Sequence, residues 1–392
     1  MPAGLSREFE LVAACCIWPA SPERDSAVVA AASGAIDWPL AARIAGRQRV
    51  EGLVQASLAH AKVKLPPGIA EALAGRARDI ARRALAQGAE SLRLQGLLAD
   101  SQIASLVLKG AAVEMLAYGE LGRKDAWDID LLVSPADVAR ATQVLHAAGY
   151  EIVQPRNLNA KQFTLYVDLA RECEFLDPRS GLTVELHWGL ADGPVLLPEM
   201  SVGSPSQTVS LGHDRLLLTL APPELFAYLC VHGAMHGWSR LKWLADLAAL
   251  LRKESPQSIE PLYRRSLELG VGLCSAQALL LCRRLLDTPI APDFAAELER
   301  APSGSWLVRA ALNTMAGCGA REVDSRPFVA ARILLMQLVL CGGWRGAAAQ
   351  MRYRAISVHD RVLTPLPKGL EFLYPWVRAP LWLWRRLTGA RL

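Results

Sequence analysis

Apolar residues recur at spacings of three and four along the first quarter of the chain, where Leu40, Ile44, Val50, Leu53, Val54 and Leu58 form one set. That period lines one face of a helix, and Pro66-Pro67 breaks the run. A second helical stretch starts at Ile69 and carries Leu73, Ile80, Leu85, Leu92 and Leu97 to about residue 103. After Ser101 the period changes. Residues 105–108 read as a short strand ending at Lys109-Gly110, 111–118 as a helix, and Gly119 and Gly122 loosen the chain. Residues 128–133 read as a buried strand, and 135–148 as a helix with Ser134 as N-cap, Pro135 in its first turn and Gly149 behind it. Further strands are expected at 150–153, 163–167, 173–176 and 183–188. A Gly-, Ser- and Pro-rich loop spans 192–208, helical periodicity returns from Pro222 to about 318, and Pro365, Pro367, Pro375 and Pro380 interrupt the last segment. An α/β unit therefore sits between helical regions.

With 392 residues the chain is far too long for a small stapled scaffold. The pattern divides it into an N-terminal helical region (1–103), an α/β core (104–210), a helical domain (211–320) and a basic, Pro- and Trp-rich C-terminal helical segment (321–392). The formal charge of +5 is uneven: from Ala320 onward twelve Lys/Arg face four Asp/Glu, a local +8 against −3 for the rest. Such a weak global excess predicts no stable nucleic-acid complex. Mean hydropathy is +0.19, much of it from Ala, and no run approaches the ~18 apolar residues of a membrane span. Residues 333–344 are only of core length, and Glu8 and Glu10 spoil a signal-peptide reading of 11–17, so a cytoplasmic protein is expected. Eight Cys occur without a Cys-x-x-Cys pair, which disfavours a zinc knuckle.

Chemistry concentrates around Trp127-Asp128-Ile129-Asp130. Alternate side chains of a strand share a face, so Asp128 and Asp130 converge. Embedded among Ile129, Leu131, Leu132 and Val133, two carboxylates need a positive charge between them, and a hard divalent ion such as Mg²⁺ supplies it. Glu185 and His187 share one face of a later strand. Glu185 would be the third carboxylate of a site for two metals ~3.5 to 4 Å apart. Gly110 offers backbone N–H groups at a helix start to phosphate oxygens, and Lys109 adds a mobile charge.

The run LVLKGAAVEMLAYGELGRKDAWDIDLLVSPADVARATQVLHAAGY, then VELHW, then LAPPELFAYLCVHGAMHGWSRLKWLADLAALL, resembles the uncharacterised nucleotidyltransferase family of the DNA polymerase β-like superfamily. The similarity covers residues 38–251, with a weaker echo in the C-terminus. It implies an α+β fold: a polymerase β-like mixed sheet flanked by N-terminal and C-terminal helical regions. It further implies Asp128 and Asp130 as metal ligands and catalytic residues, with Glu185 as the third. The activity implied is transfer of a nucleoside monophosphate from a nucleoside triphosphate, with Mg²⁺ or Mn²⁺, to a hydroxyl or phosphate, releasing pyrophosphate. Members sit in biosynthetic clusters for polysaccharides and modified peptides, so the acceptor is a sugar, a peptide or a phosphorylated metabolite. Lys109, Gly110, Ala111, Arg123, Lys124 and His187 form the expected nucleotide-binding set. Gly110-Ala111 replaces the superfamily's Gly-Ser or Gly-Gly turn, and the gap to Asp128 is longer than in the wider superfamily.

Four other residues are substrate-binding or structural candidates. His232 and His236 lie four apart on a helix, but Gly233 stands where a His-Glu-x-x-His metalloprotease carries its base. Lys242 and Asp246, one turn apart, read as a surface pair. Arg123 and Lys124 are triphosphate contacts or solvated loop charges. The tail interleaves Trp382 and Trp384 with Arg378, Arg385 and Arg386, which suits weak contact with anionic lipid or an acidic partner, although Pro375 and Pro380 favour internal packing. Two rival functions remain. One is a metal-dependent glycosyl- or sugar-phosphate transferase using a nucleotide-sugar, disfavoured by the helical first ~100 residues where that class opens on an α/β half. The other is a non-catalytic nucleotide-binding module, disfavoured by three retained carboxylates.

Overall fold

Capping side chains start the first helices. Ser6, Ser21 and Asp37 accept bonds from the N–H groups of Phe9, Arg24 and Leu40, opening α1 (Arg7–Cys15), α2 (Pro22–Ala32) and α3 (Trp38–Gln48). α4 (Glu51–His60) follows, and the Pro66-Pro67 break precedes the long α5 (Pro67–Asp100). The computed structural model describes residues 5–300, 304–317, 327–355, 357–367, 369–374, 376, 377 and 380. Of the C-terminal candidates, Arg378, Trp382, Trp384, Arg385 and Arg386 lie outside them.

The chain then enters a five-stranded mixed sheet: β1 (Ser105–Val107), α6 (Ala111–Tyr118), β2 (Asp128–Val133), α7 (Val138–Ala147), β3 (Glu151–Gln154), α8 (Ala160–Leu169), β4 (Glu172–Leu176) and β5 (Thr183–His187). Strand order is β1-β2-β5-β4-β3. β2 and β5 run parallel, and the other pairs are antiparallel. Ser134 caps the turn before α7 as its position in the sequence predicts.

One expected strand is a helix. Residues 163–167 belong to α8, because Asn159 and Gln162 form a reciprocal capping box at 3.0 and 3.1 Å that starts a helix ahead of the alternating Phe163, Leu165 and Val167. The expected loop 192–208 gives way at its end to a hairpin of β6 (Ser206–Ser210) and β7 (Leu216–Leu220). Gln95 of α5 joins this hairpin to the sheet: its amide donates to the Ser105 and Leu218 carbonyls and its oxygen accepts from Leu218 N–H.

From Pro222 the structure is helical as expected, with α9 (Pro222–Met235), α10 (Leu241–Leu251), α11 (Ile259–Glu268), α12 (Gly272–Leu286), α13 (Pro292–Glu299), α14 (Gly304–Gly317), α15 (Pro327–Leu340), α16 (Trp344–Ala355) and α17 (Val358–Leu363). The sheet separates two cores. Val107, Ile129, Leu131, Phe175, Val184 and Leu186 point into one, with α7 beneath them. Leu106, Leu108 and Leu132 point the other way, into the larger core shared with α1, α4, α9, α10 and α12. The seven described cysteines are buried and unpaired, and no described helix is long and apolar enough to cross a membrane.

α9 is buried nearly all round, and packing explains Gly233. A Cβ there would lie 2.3 Å from the ring of Trp238, a fully buried indole that donates to Gln277 Oε1 at 3.1 Å. Gly233→Ala is expected to lower stability by about 1–3 kcal/mol through overpacking, read as a shifted urea midpoint with an unchanged slope.

Candidate active site

Strand parity decides which residues meet. Across the β2–β5–β4 ladder, Asp130 faces Glu185 and Glu174, while Leu132 faces His187 and Glu172. Asp128, Asp130, Glu185, His187 and Glu172 therefore share one face, and Ile129, Leu131, Val184 and Leu186 fill the core behind it.

Asp130 is 1% exposed. Lys109 Nζ lies 2.8 Å and His187 Nε2 3.1 Å from its Oδ1. Burial disfavours the charged carboxyl, but Lys109 and then His187 outweigh it and hold the group well below the usual carboxylate range. His187 spans three acids, with Nδ1 3.1 Å from Glu172 Oε2 and Nε2 3.4 Å from Glu185 Oε2. Burial would lower the basicity of this ring, yet the bonds to Asp130, Glu172 and Glu185 raise it well above the ordinary value. Lys109 shows the same contest: burial lowers it, and Asp130, Tyr228, Asp128 and Glu185 together raise it well above. Glu185 goes the other way. Burial, reinforced by Asp130 and Asp128 against the bond from His187, pushes its carboxyl up to about 7.

One ligand atom from each of Asp130, Glu185 and His187 falls within a mutual 4.8 Å. The two carboxylates suit a divalent cation, and the imidazole joins them only after giving up its proton. Asp128 stands outside that trio but lines the same cavity of about 240 Å³. Gly110 borders it where the chain turns into α6 at φ +59° and ψ −128°, a conformation open to glycine. Ala111 is buried in the first turn of that helix.

The loop from Gly119 to Trp127 carries the remaining sequence candidates. Lys124 is buried in an ion pair with Asp246, which also accepts from Tyr118 Oη at 2.9 Å. Glu114 Oε1 accepts from the N–H groups of Arg123 and Lys124 at 2.6 and 3.0 Å and fixes the loop. Arg123 turns to Glu120, 2.5 Å away, and to the Trp18 ring at 5.3 Å. The expected surface pair of Lys242 and Asp246 does not form. They are 8% and 3% exposed, because α10 packs against α6 and turns this face inward. Asp246 goes to Lys124, and Lys242 Nζ donates to the Asp125 carbonyl at 3.2 Å.

His232 and His236 line the helical wall of the cavity with Trp243, their ring centroids 4.6 to 5.3 Å apart. Sequence reasoning missed Arg49, Arg171, Glu172, Tyr228 and Trp243, which line the same space. For Glu172 a signal existed, since it alternates with Glu174 on a strand. For Tyr228 the signal was helical spacing, four residues before His232. Arg49 carried none.

A family model described as an uncharacterised nucleotidyltransferase matches residues 34–287. No curated protein matches the chain.

Two tests follow from the buried charges. Asp246→Asn is expected to cost about 3–5 kcal/mol in denaturant unfolding, because Lys124 is left buried without its counter-charge, and Lys124→Met with Asp246→Leu is expected to recover part of that loss. His232 is held well below 6.5 by burial, then by Lys109 and His236. The unfolded chain therefore takes up that proton first as pH falls. Stability present above pH 6.5 is lost below it, at up to about 1.4 kcal/mol per pH unit. The gap in unfolding free energy between wild type and His232→Gln is expected to narrow from pH 7 to 5, and a constant gap would refute a neutral His232.

Proposed function

The chain belongs to the uncharacterised nucleotidyltransferase family, and we propose that it moves a nucleoside monophosphate from a nucleoside triphosphate to a hydroxyl or phosphate of a sugar, peptide or phosphorylated metabolite, releasing pyrophosphate. The observation that carries this reading is the single acidic face on which Asp130, Glu185 and His187 meet within 4.8 Å, with Asp128 one turn of the pleat away.

Asp128, Asp130 and Glu185 are the carboxylates that would hold Mg²⁺ or Mn²⁺, with His187 beside them. Such an ion polarises the reacting phosphoryl oxygens and lowers the pKa of a bound hydroxyl. Glu185, on the cavity wall, is the carboxylate that would take the acceptor's proton. In the proposed step the acceptor oxygen bonds to the α-phosphorus and gives its proton to Glu185. The bond to the α,β-bridging oxygen breaks, and its electron pair leaves with pyrophosphate. Gly110 and the first N–H groups of α6 face phosphate oxygens, while Lys109 keeps Asp130 ionised and its charge near the donor. The chemistry sits on the α/β core 104–210, and Arg49 together with residues of α9 and α10 lines the rest of the cavity. His232 and His236 line the acceptor or nucleotide side, with Lys242 and Asp246 behind the loop.

The test is to incubate the protein with each labelled nucleoside triphosphate, Mg²⁺ or Mn²⁺ and a cell extract, and to identify which molecule gains label. Asp128→Asn and Glu185→Ala are expected to reduce labelling by about a hundredfold or more, and chelation to abolish it until metal returns. Wild-type labelling by Asp128→Asn would end the assignment.

A further inference from the structure

The cations of the cavity fall into two groups. Lys109 is committed to Asp130 and Lys124 to Asp246. Among the described residues, the salt bridges of the cavity include none of Arg171, Arg49 and Lys242. Arg171 stands just before β4, where its guanidinium donates to the Ala170 carbonyl at 3.4 Å, which leaves Arg49 and Lys242 beside the entry to β2. Both are held on the loop that enters β2. The Arg49 guanidinium lies 4.1 Å from the centre of the Trp127 ring, and its backbone oxygen accepts from Asp125 N–H at 3.2 Å. Lys242, 8% exposed, places its ammonium 3.2 Å from the carbonyl of that same Asp125. The Asp125 carboxylate is occupied elsewhere, by Arg83 and by Trp127 Nε1 at 2.8 Å. Two positive charges, from elements before and after the α/β core in sequence, thus stand over one short loop, three residues or fewer from Asp128, and both line the cavity.

We propose that Arg49 and Lys242 form the clamp for the terminal diphosphate of the donor nucleotide and for the pyrophosphate it becomes. This rests on the nucleotidyltransferase reading, and it moves the terminal phosphates from the paired lysines Lys109 and Lys124 to the two cations beside the entry to β2 that no salt bridge among the described residues engages. The preference is physical. A guanidinium stacked on an indole keeps its edge donors for a phosphate. A buried ammonium whose hydrogen bond among the described residues goes to a carbonyl gains more from an incoming anion than one already in a salt bridge. Burial, and after it the like charges of Arg49 and Lys124, pushes Lys242 down to about 8, so positive charge crowds here in the absence of an anion.

The test is calorimetric titration of the whole protein with inorganic pyrophosphate in Mg²⁺, alongside the labelling assay. Arg49→Gln and Lys242→Met are each expected to weaken pyrophosphate binding by about tenfold or more, while Arg49→Lys, which keeps the charge but loses the stacked fork, falls between Arg49→Gln and wild type. Melting curves confirm folding, and because Lys242 is buried, Arg49→Gln alone decides the matter if Lys242→Met does not fold. Wild-type protein that takes up no pyrophosphate, or Arg49→Gln that binds it within about twofold of wild type, overturns the clamp. Pyrophosphate binding that depends on these residues, with no labelled product from wild type, keeps the clamp and ends the transfer reading. Labelled product with unweakened pyrophosphate binding does the reverse.

Discussion

A carboxylate on the middle of a sheet, shut off from water, must be kept ionised by its neighbours, and Asp130 sets that condition for the whole site. Lys109 reaches it from the end of β1 and His187 from β5. His187 in turn needs Glu172 and Glu185, which fixes the register of three strands around one proton-rich ring. Each of these groups is buried at a cost that the next offsets. The acidic face is therefore a network of shared charge and not a row of independent acids, and the apolar face behind it, from Ile129 to Leu186, keeps the strands rigid enough to hold the network in place.

A second network lies one loop away. Glu114 and Asp246 organise the chain between Gly119 and Trp127 through its backbone and through Lys124. Charge there is spent on shape, since Lys124, expected to meet a ligand, anchors the loop to α10. Arg49 and Lys242, which also touch this loop, come from the residue that closes α3 and from α10, before and after the core in sequence.

Much of the acidic face was legible because strands obey a period of two: the spacing of Asp128 and Asp130 and of Glu185 and His187 already states which face they share. What parity does not give is the neighbour. Glu172 meets His187 only through the antiparallel register of β4 and β5, and Arg49 approaches Trp127 across a long stretch of intervening helix. The i,i+4 spacing of Lys242 and Asp246 is the same on a surface helix and a buried one, so burial reversed that reading. At 163–167 an alternating pattern imitated a strand while the Asn159 and Gln162 box, also present in the sequence, specified a helix. Local signals with a defined hydrogen bond outranked hydrophobic alternation there.

The loop into β2 is gripped on one side by Arg49, Arg83 and Gln87, and on the other by Lys242 and Asp246. The acidic strands are consequently not a portable cassette. A fragment beginning at β1 would retain every carboxylate of the face and lose the clasp that sets the entry to Asp128.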